Sequence, residues 1–138
     1  MFINRIPTRK ASTSAFTTFT SQYPPAQSNT YVKATNTYLN YYPYNTTNPE
    51  LSLTGLEYLN QWLTASTTNK RFHIDLGSAK EINRIYYENC HADGGDLNSG
   101  VNNFTFWGSN SATAFAQLTY AIDTDWIQLT RRCSKSIF

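Results

Sequence analysis

At 138 residues the chain is long enough for one domain with a buried core and too short for two of ordinary size. Its 11 basic and 9 acidic residues leave a formal charge of +2, too near balance for a nucleic-acid surface. Charged residues are only 14% of the chain, so Ser, Thr, Asn and Gln supply most of the surface polarity, a surface suited to neutral partners such as sugars. Tyr, Phe, Trp and Thr are abundant and favour strands, with Gly, Asn and Asp for the turns between them.

Taken in chain order, Met1 to Ala11 carries Arg5, Arg9 and Lys10 but lacks the apolar run of a secretory signal. No stretch of the sequence is long and apolar enough to form a membrane-spanning helix. Thr8 to Thr30 is dense in Ser and Thr and is broken by Pro24–Pro25, so residues 1–30 read as an arm or linker and residues 31–138 as the folded domain. Tyr38, Tyr41, Tyr42 and Tyr44 cluster around Pro43, ahead of a loop at Asn45–Pro49. Their rings either cover one end of the fold or form a stacking platform for a sugar, with Tyr44 as a candidate contact. Leu51 to Leu63 reads as a loop or a single helical turn.

Arg71 to Leu76 alternates with period two. It predicts a strand burying Phe72, Ile74 and Leu76 and turning His73 and Asp75 outward. Ile85 and Tyr87 repeat the pattern, as do Phe104 and Phe106. Trp107 falls out of phase with the last two and is a candidate contact residue, since aromatic area left off a buried face often marks binding. Ser109-Asn110-Ser111 ahead of Ala112, Ala114 and Phe115 predicts a capped helical turn, with a Ser or Asn side chain accepting from the free amides. Trp126 lies in a weak strand, Asp125–Leu129, and takes a structural rather than a ligand-contact reading.

The densest polar chemistry lies in Glu88–Gly100, ENCHADGGDLNSG, between two predicted strands. Asn89, His91, Asp93, Asp96 and Asn98 are the candidate ligand contacts, because Asn and Asp pair with adjacent sugar hydroxyls and loops on a rigid scaffold commonly carry function. The ordinary alternative is that Asp93-Gly94-Gly95-Asp96 simply reverses the chain. No GxSxG elbow, HExxH helix or phosphate loop is present, and Cys90 and His91 point to opposite faces of an extended chain, so no enzyme is expected. Cys90 and Cys133 stand either as one disulfide or as two free thiols.

The run W-L-T-A-S-x(5)-F-H-I-D-L-G-S-A-K-x-I-N-x-I-Y-Y-E-N from Trp62 to Asn89, followed by G-V-N-N-F-T-F-W-G-S-N at Gly100–Asn110, resembles the factor five/eight type C, or discoidin, domain. The resemblance spans Tyr31 to Leu129. It implies an all-β fold of the galactose-binding-like class, a jelly-roll β-sandwich of about eight strands. It also implies a binding role, toward glycans or in some branches phospholipid head groups or proteins, at an extracellular, cell or particle surface. The family's acidic calcium position is matched here by Thr54, so a structural Ca2+ held partly by the Thr54 backbone is the one cofactor implied, at a site weakened by loss of a carboxylate. Family strands beyond the segment resembling Asp125–Leu129 have no evident counterpart in the basic, unpatterned Thr130–Phe138. The leading expectation is a sandwich truncated relative to the family, with open edges; the alternatives are that the Ser/Thr-rich arm supplies substitute strands or that a partner chain completes the sheet. Two functions follow: a non-catalytic carbohydrate-binding module, or a structural or adhesive domain that binds other protein chains, as in a surface or virion appendage.

Overall fold

Phe72 to Ile74 form a strand, but His73, expected to face outward, is buried, and Ile74, expected to be buried, is exposed. The computed structural model describes residues 20–51, 59–89, 100–101 and 103–129, together with strand Cys133–Ser134. Strand β1, Val32–Ala34, pairs antiparallel with β2, Phe72–Ile74, in the register Val32↔Ile74, Lys33↔His73 and Ala34↔Phe72. Backbone bonds extend the ladder at both ends, from Asp75 N–H to the Tyr31 carbonyl (2.7 Å) and from Thr35 N–H to the Arg71 carbonyl (3.0 Å).

His73 is 6% exposed and Ile74 45% exposed, which corrects the predicted phase. The reason is that both faces of this small ribbon are covered. Trp62 lies on the Phe72 ring (centroids 5.2 Å) and is anchored by its indole N–H on the Asn36 carbonyl (2.9 Å). Across the ribbon, Trp126 and Phe115 cover the His73 ring at 4.7 and 6.3 Å, and the Lys33 ammonium sits 4.7 Å over Phe115. The Arg71 guanidinium pairs with Asp123 beside this cluster.

A second ribbon combines β3, Asn103–Phe104, and β4, Trp107–Gly108, with β5, Ile127–Gln128, and β6, Cys133–Ser134. β4 pairs antiparallel with β5 (Trp107↔Gln128, Gly108↔Ile127), and β3 with β6 (Asn103↔Ser134, Phe104↔Cys133). Residues 105–106 separate one pair of strands and residues 129–132 the other, so the register slips between the two pairings. The C-terminal segment, read as unpatterned, thus supplies a strand. Phe104 and Phe106 contact edge to face at 5.1 Å. The predicted helical turn is α1, Ala112–Ala116. Its predicted cap is corrected: the Ser111 side chain makes no cap bond and donates instead to Asp125 Oδ2 (3.0 Å).

Two further expectations change. Asn45–Thr47 is not open loop, because Pro43–Thr47 forms a 3₁₀ turn started by Pro43, whose fixed φ suits the first helical position. Ile85 and Tyr87 lie in no strand, and both are exposed at 45% and 42%. Among the described residues neither has a ladder partner, so their alternation does not mark a strand.

Part of the Ser/Thr-rich arm packs on the domain. Pro24 is buried, and Pro25 fills the space beside Gly77, where an added Cβ would lie 2.6 Å from the proline ring. Gly77 also has φ +74, so its lack of a side chain serves both the turn and the close approach. The described residues therefore form a β-rich structure with little helix, and among them Val32 and Ala114 are the buried hydrophobic residues. No helix among them is long and apolar enough to cross a membrane.

Candidate functional site

Among the described residues, the tyrosines around Pro43 form a developed exposed aromatic surface. Tyr42 and Tyr44 stack nearly parallel, with centroids 5.3 Å apart and planes 7° from each other, and Tyr38 stacks on Tyr41 at 6.5 Å and 24°. Both pairs follow from the local chain. Pro43 is buried and starts the 3₁₀ turn, so the residues flanking it emerge together. Leu39 at φ +48 redirects the backbone after Tyr38, and Tyr38 N–H and the Tyr41 carbonyl both bond to Leu63 (2.8 and 3.4 Å).

The turn is tied down from the arm. Gln27 donates through Nε2 to the Thr47 carbonyl (3.0 Å) and accepts from the Thr47 hydroxyl at Oε1 (2.8 Å). Tyr38 and Tyr42 remain 44% and 38% exposed. A fixed aromatic surface with wet edges can stack on the C–H face of a sugar while its hydroxyls bond to ligand or water.

Asn89 stands at the mouth of the Glu88–Gly100 loop and closes it. Its Oδ1 accepts from Val101 N–H (2.8 Å), its Nδ2 donates to the Val101 carbonyl (3.4 Å), and the Tyr87 hydroxyl donates to Oδ1. The side chain thereby imitates a strand partner for Val101. Gly100 leaves room for it, since a Cβ there would meet Asn89 Cγ at 2.6 Å. Burial pushes the Tyr87 hydroxyl above its ordinary range, against a smaller pull from the Val101 backbone, which keeps it protonated as a donor. Its ring packs edge-on to Phe104 at 5.1 Å, fastening the loop base to the second ribbon.

Asn89→Ala should remove about 1 kcal/mol of stability, about one net hydrogen bond, and speed amide exchange at Val101. A urea titration paired with hydrogen exchange checks both effects. Sequence reasoning read Tyr87 as a strand residue and missed this strut. The one signal for it was the polar run beginning directly after Tyr87.

The other candidates are dispersed. Trp107 is half-buried in β4 with its indole N–H on the Thr105 hydroxyl (2.8 Å). No hydrogen bond or ring contact among the described residues joins Asn89, Trp107 and Tyr44 to one another. His91, Asp93, Asp96 and Asn98 lie outside the described residues, as do Cys90 and the calcium candidate Thr54. Among the described residues no group of three or more His, Cys, Asp or Glu side chains is arranged to hold a metal ion.

His73 has a structural place that its sequence position did not disclose. Its Nδ1 lies 3.0 Å from the Phe115 carbonyl, the geometry of a donated N–H. Burial holds its pKa below the usual 6.5, the Phe115 bond opposes this, and the Arg71 and Lys33 charges add to it, so the ring is neutral at neutral pH.

A cleft of about 270 Å³ opens between α1 and the turn that follows it, lined by Thr113, Ala114, Gln117, Ile122, Thr124 and Asp125. These residues are scattered along a stretch read for its helix and strand, so no spacing flagged them. Compared with known proteins, the chain matches no family model, no curated protein and no solved structure.

Proposed function

We propose that this chain is a non-catalytic carbohydrate-binding module of the discoidin type, a jelly-roll sandwich acting at a cell or particle surface and binding neutral glycans. The observation that carries the reading is the pair of tyrosine stacks, Tyr42–Tyr44 and Tyr38–Tyr41, held on a proline-initiated turn and left accessible. The low charge of the chain supports it, since a neutral ligand gains little from ionic groups and much from aromatic faces and side-chain amides. The sequence resemblance supports it as well. In this proposal Asn89 shapes the base of the Glu88–Gly100 loop, and His91, Asp93, Asp96 and Asn98 supply its hydrogen bonds.

A glycan array with the purified chain tests the reading. Binding to neutral oligosaccharides is expected, weakened about five-fold by Tyr42→Ala or Tyr44→Ala, the scale of one aromatic contact. Unchanged binding in both variants would remove the tyrosines from the site.

A second reading, a domain that binds protein chains, rests on a separate observation. Ile127 and Leu129 are 71% and 58% exposed beside the two-stranded ribbon, and Ile82 and Ile85 are exposed at 41% and 45%. Aliphatic area of this kind beside short strands is commonly covered by a partner. A blank array together with concentration-dependent association by light scattering would favour that reading.

A further inference from the structure

The cleft beside α1 has a lining whose chemistry selects one class of small ligand. Its apolar lining is buried Ala114 and the partly exposed Ile122, and its polar lining is Thr113, Thr124, Gln117 and Asp125. The polar groups are partly committed in a way that fixes their orientation. Asp125 Oδ2 accepts from Ser111 Oγ (3.0 Å) and Thr113 Oγ1 (3.3 Å), and those two hydroxyls bond to each other at 2.7 Å. Gln117 Oε1 accepts the Thr119 backbone N–H at 2.9 Å. Among the described residues nothing donates to Asp125 Oδ1, and nothing accepts from Gln117 Nε2. One strong acceptor and one amide donor, both with side chains already oriented, therefore line the same cleft.

We infer that this cleft binds a neutral polyhydroxylated small molecule, one hydroxyl donating to Asp125 Oδ1 and a neighbouring hydroxyl accepting from Gln117 Nε2, with the C–H face on Ala114 and Ile122. The pairing of a fixed acceptor with a fixed donor is what adjacent hydroxyls satisfy together. A cation is a poorer fit, because Asp125 is the only carboxylate among the described residues of the lining. A volume of about 270 Å³ lies at the small end of ligand sites, so the occupant is of monosaccharide or inositol size rather than a chain. The site is separate from the tyrosine surface and stands whether or not that surface binds glycans.

The experiment is a two-dimensional NMR titration of the full chain with D-galactose, D-glucose and myo-inositol in turn. At least one should produce saturable shifts at Thr113, Gln117, Thr124 and Asp125, with a Kd of about 1 mM, the scale expected of so small a ligand. Asp125→Asn should weaken that binding about ten-fold, since the charge-assisted bond is lost, while Asn tolerates the positive φ of 66 at this position. Gln117→Ala, a change at the residue that follows α1, should weaken it about five-fold and serves if the Asp125 variant does not fold. Absence of saturable shifts in the cleft with all three compounds, or equal affinity in parent and Gln117→Ala, would overturn the inference. Shifts confined to Tyr42 and Tyr44 would overturn it too, while supporting the tyrosine surface.

Discussion

Val32→Asp is expected to abolish cooperative folding, and Val32→Ala to cost about 2 kcal/mol. Val32 is fully buried, at 0% exposure, and stands opposite Ile74 where β1 and β2 join. Its backbone N–H is already bonded to the Ser28 carbonyl (3.0 Å), so the strand enters the domain at this point. Truncation to alanine removes two buried methyl groups and leaves a gap that only partly closes, which gives the smaller figure. A carboxylate in the same place has no cationic partner on its face of the ribbon. Lys33 and Arg71, the nearest charges along the two strands, are engaged with Phe115 and Asp123. Burying an unpaired charge costs several kcal/mol, comparable with the whole stability of a domain of this size. Urea denaturation followed by circular dichroism should show a shifted transition for Val32→Ala and none for Val32→Asp.

His73→Ala should cost about 3 kcal/mol at neutral pH. The variant leaves the Phe115 carbonyl without its donor and opens space between Trp126 and Phe115, two losses that fall in the range of large-to-small core changes. The same residue gives the parent a defined pH dependence. Its folded pKa lies below the unfolded 6.5, chiefly because burial disfavours the imidazolium. Between those two values the unfolded chain binds more protons than the folded one, so stability falls as pH drops. His73 thus contributes fully above pH 6.5, and its contribution is lost as pH falls from 6.5 toward the lowered folded value. Urea midpoints measured from pH 8 down to pH 5 should decline in the parent below about 6.5 and run flatter in His73→Ala. Parallel curves for the two proteins would show that His73 is not the group responsible.

How far these features could be read in advance depended on which physical quantity each one reports. The alternation of Phe72, His73 and Ile74 did report a strand, because period two is a property of extended backbone. It did not report which face is covered, since the covers are Trp62 on one side and Phe115 and Trp126 on the other, brought in from far along the chain. Ile85 and Tyr87 alternate in the same way, yet among the described residues neither belongs to a strand. The helix at Ala112–Ala116 was legible from its small, helix-favouring residues, whereas Ser111 went to Asp125 rather than to the helix amides. Cys133–Ser134 carries no pattern of its own and becomes a strand only by pairing with Asn103–Phe104.

At the site, the tyrosine cluster was visible as composition around a proline, and the stacking geometry came from the turn that Pro43 starts. Asn89 was legible as a polar loop residue, but its bonds to Val101 depend on Gly100 having no side chain to block them. The cleft beside α1 left no signal because Gln117 and Asp125, which line it together, are separated along the chain by the intervening turn.

The glycan-binding proposal is tested most directly by following the tyrosine ring resonances during titration with the strongest neutral oligosaccharide from an array. Saturable shifts are expected at the Tyr42 and Tyr44 rings, and they should disappear for the neighbouring ring when either tyrosine is replaced by alanine. Ring resonances that stay fixed up to saturating sugar, while Ile127 and Leu129 methyl signals broaden with protein concentration alone, would contradict that proposal.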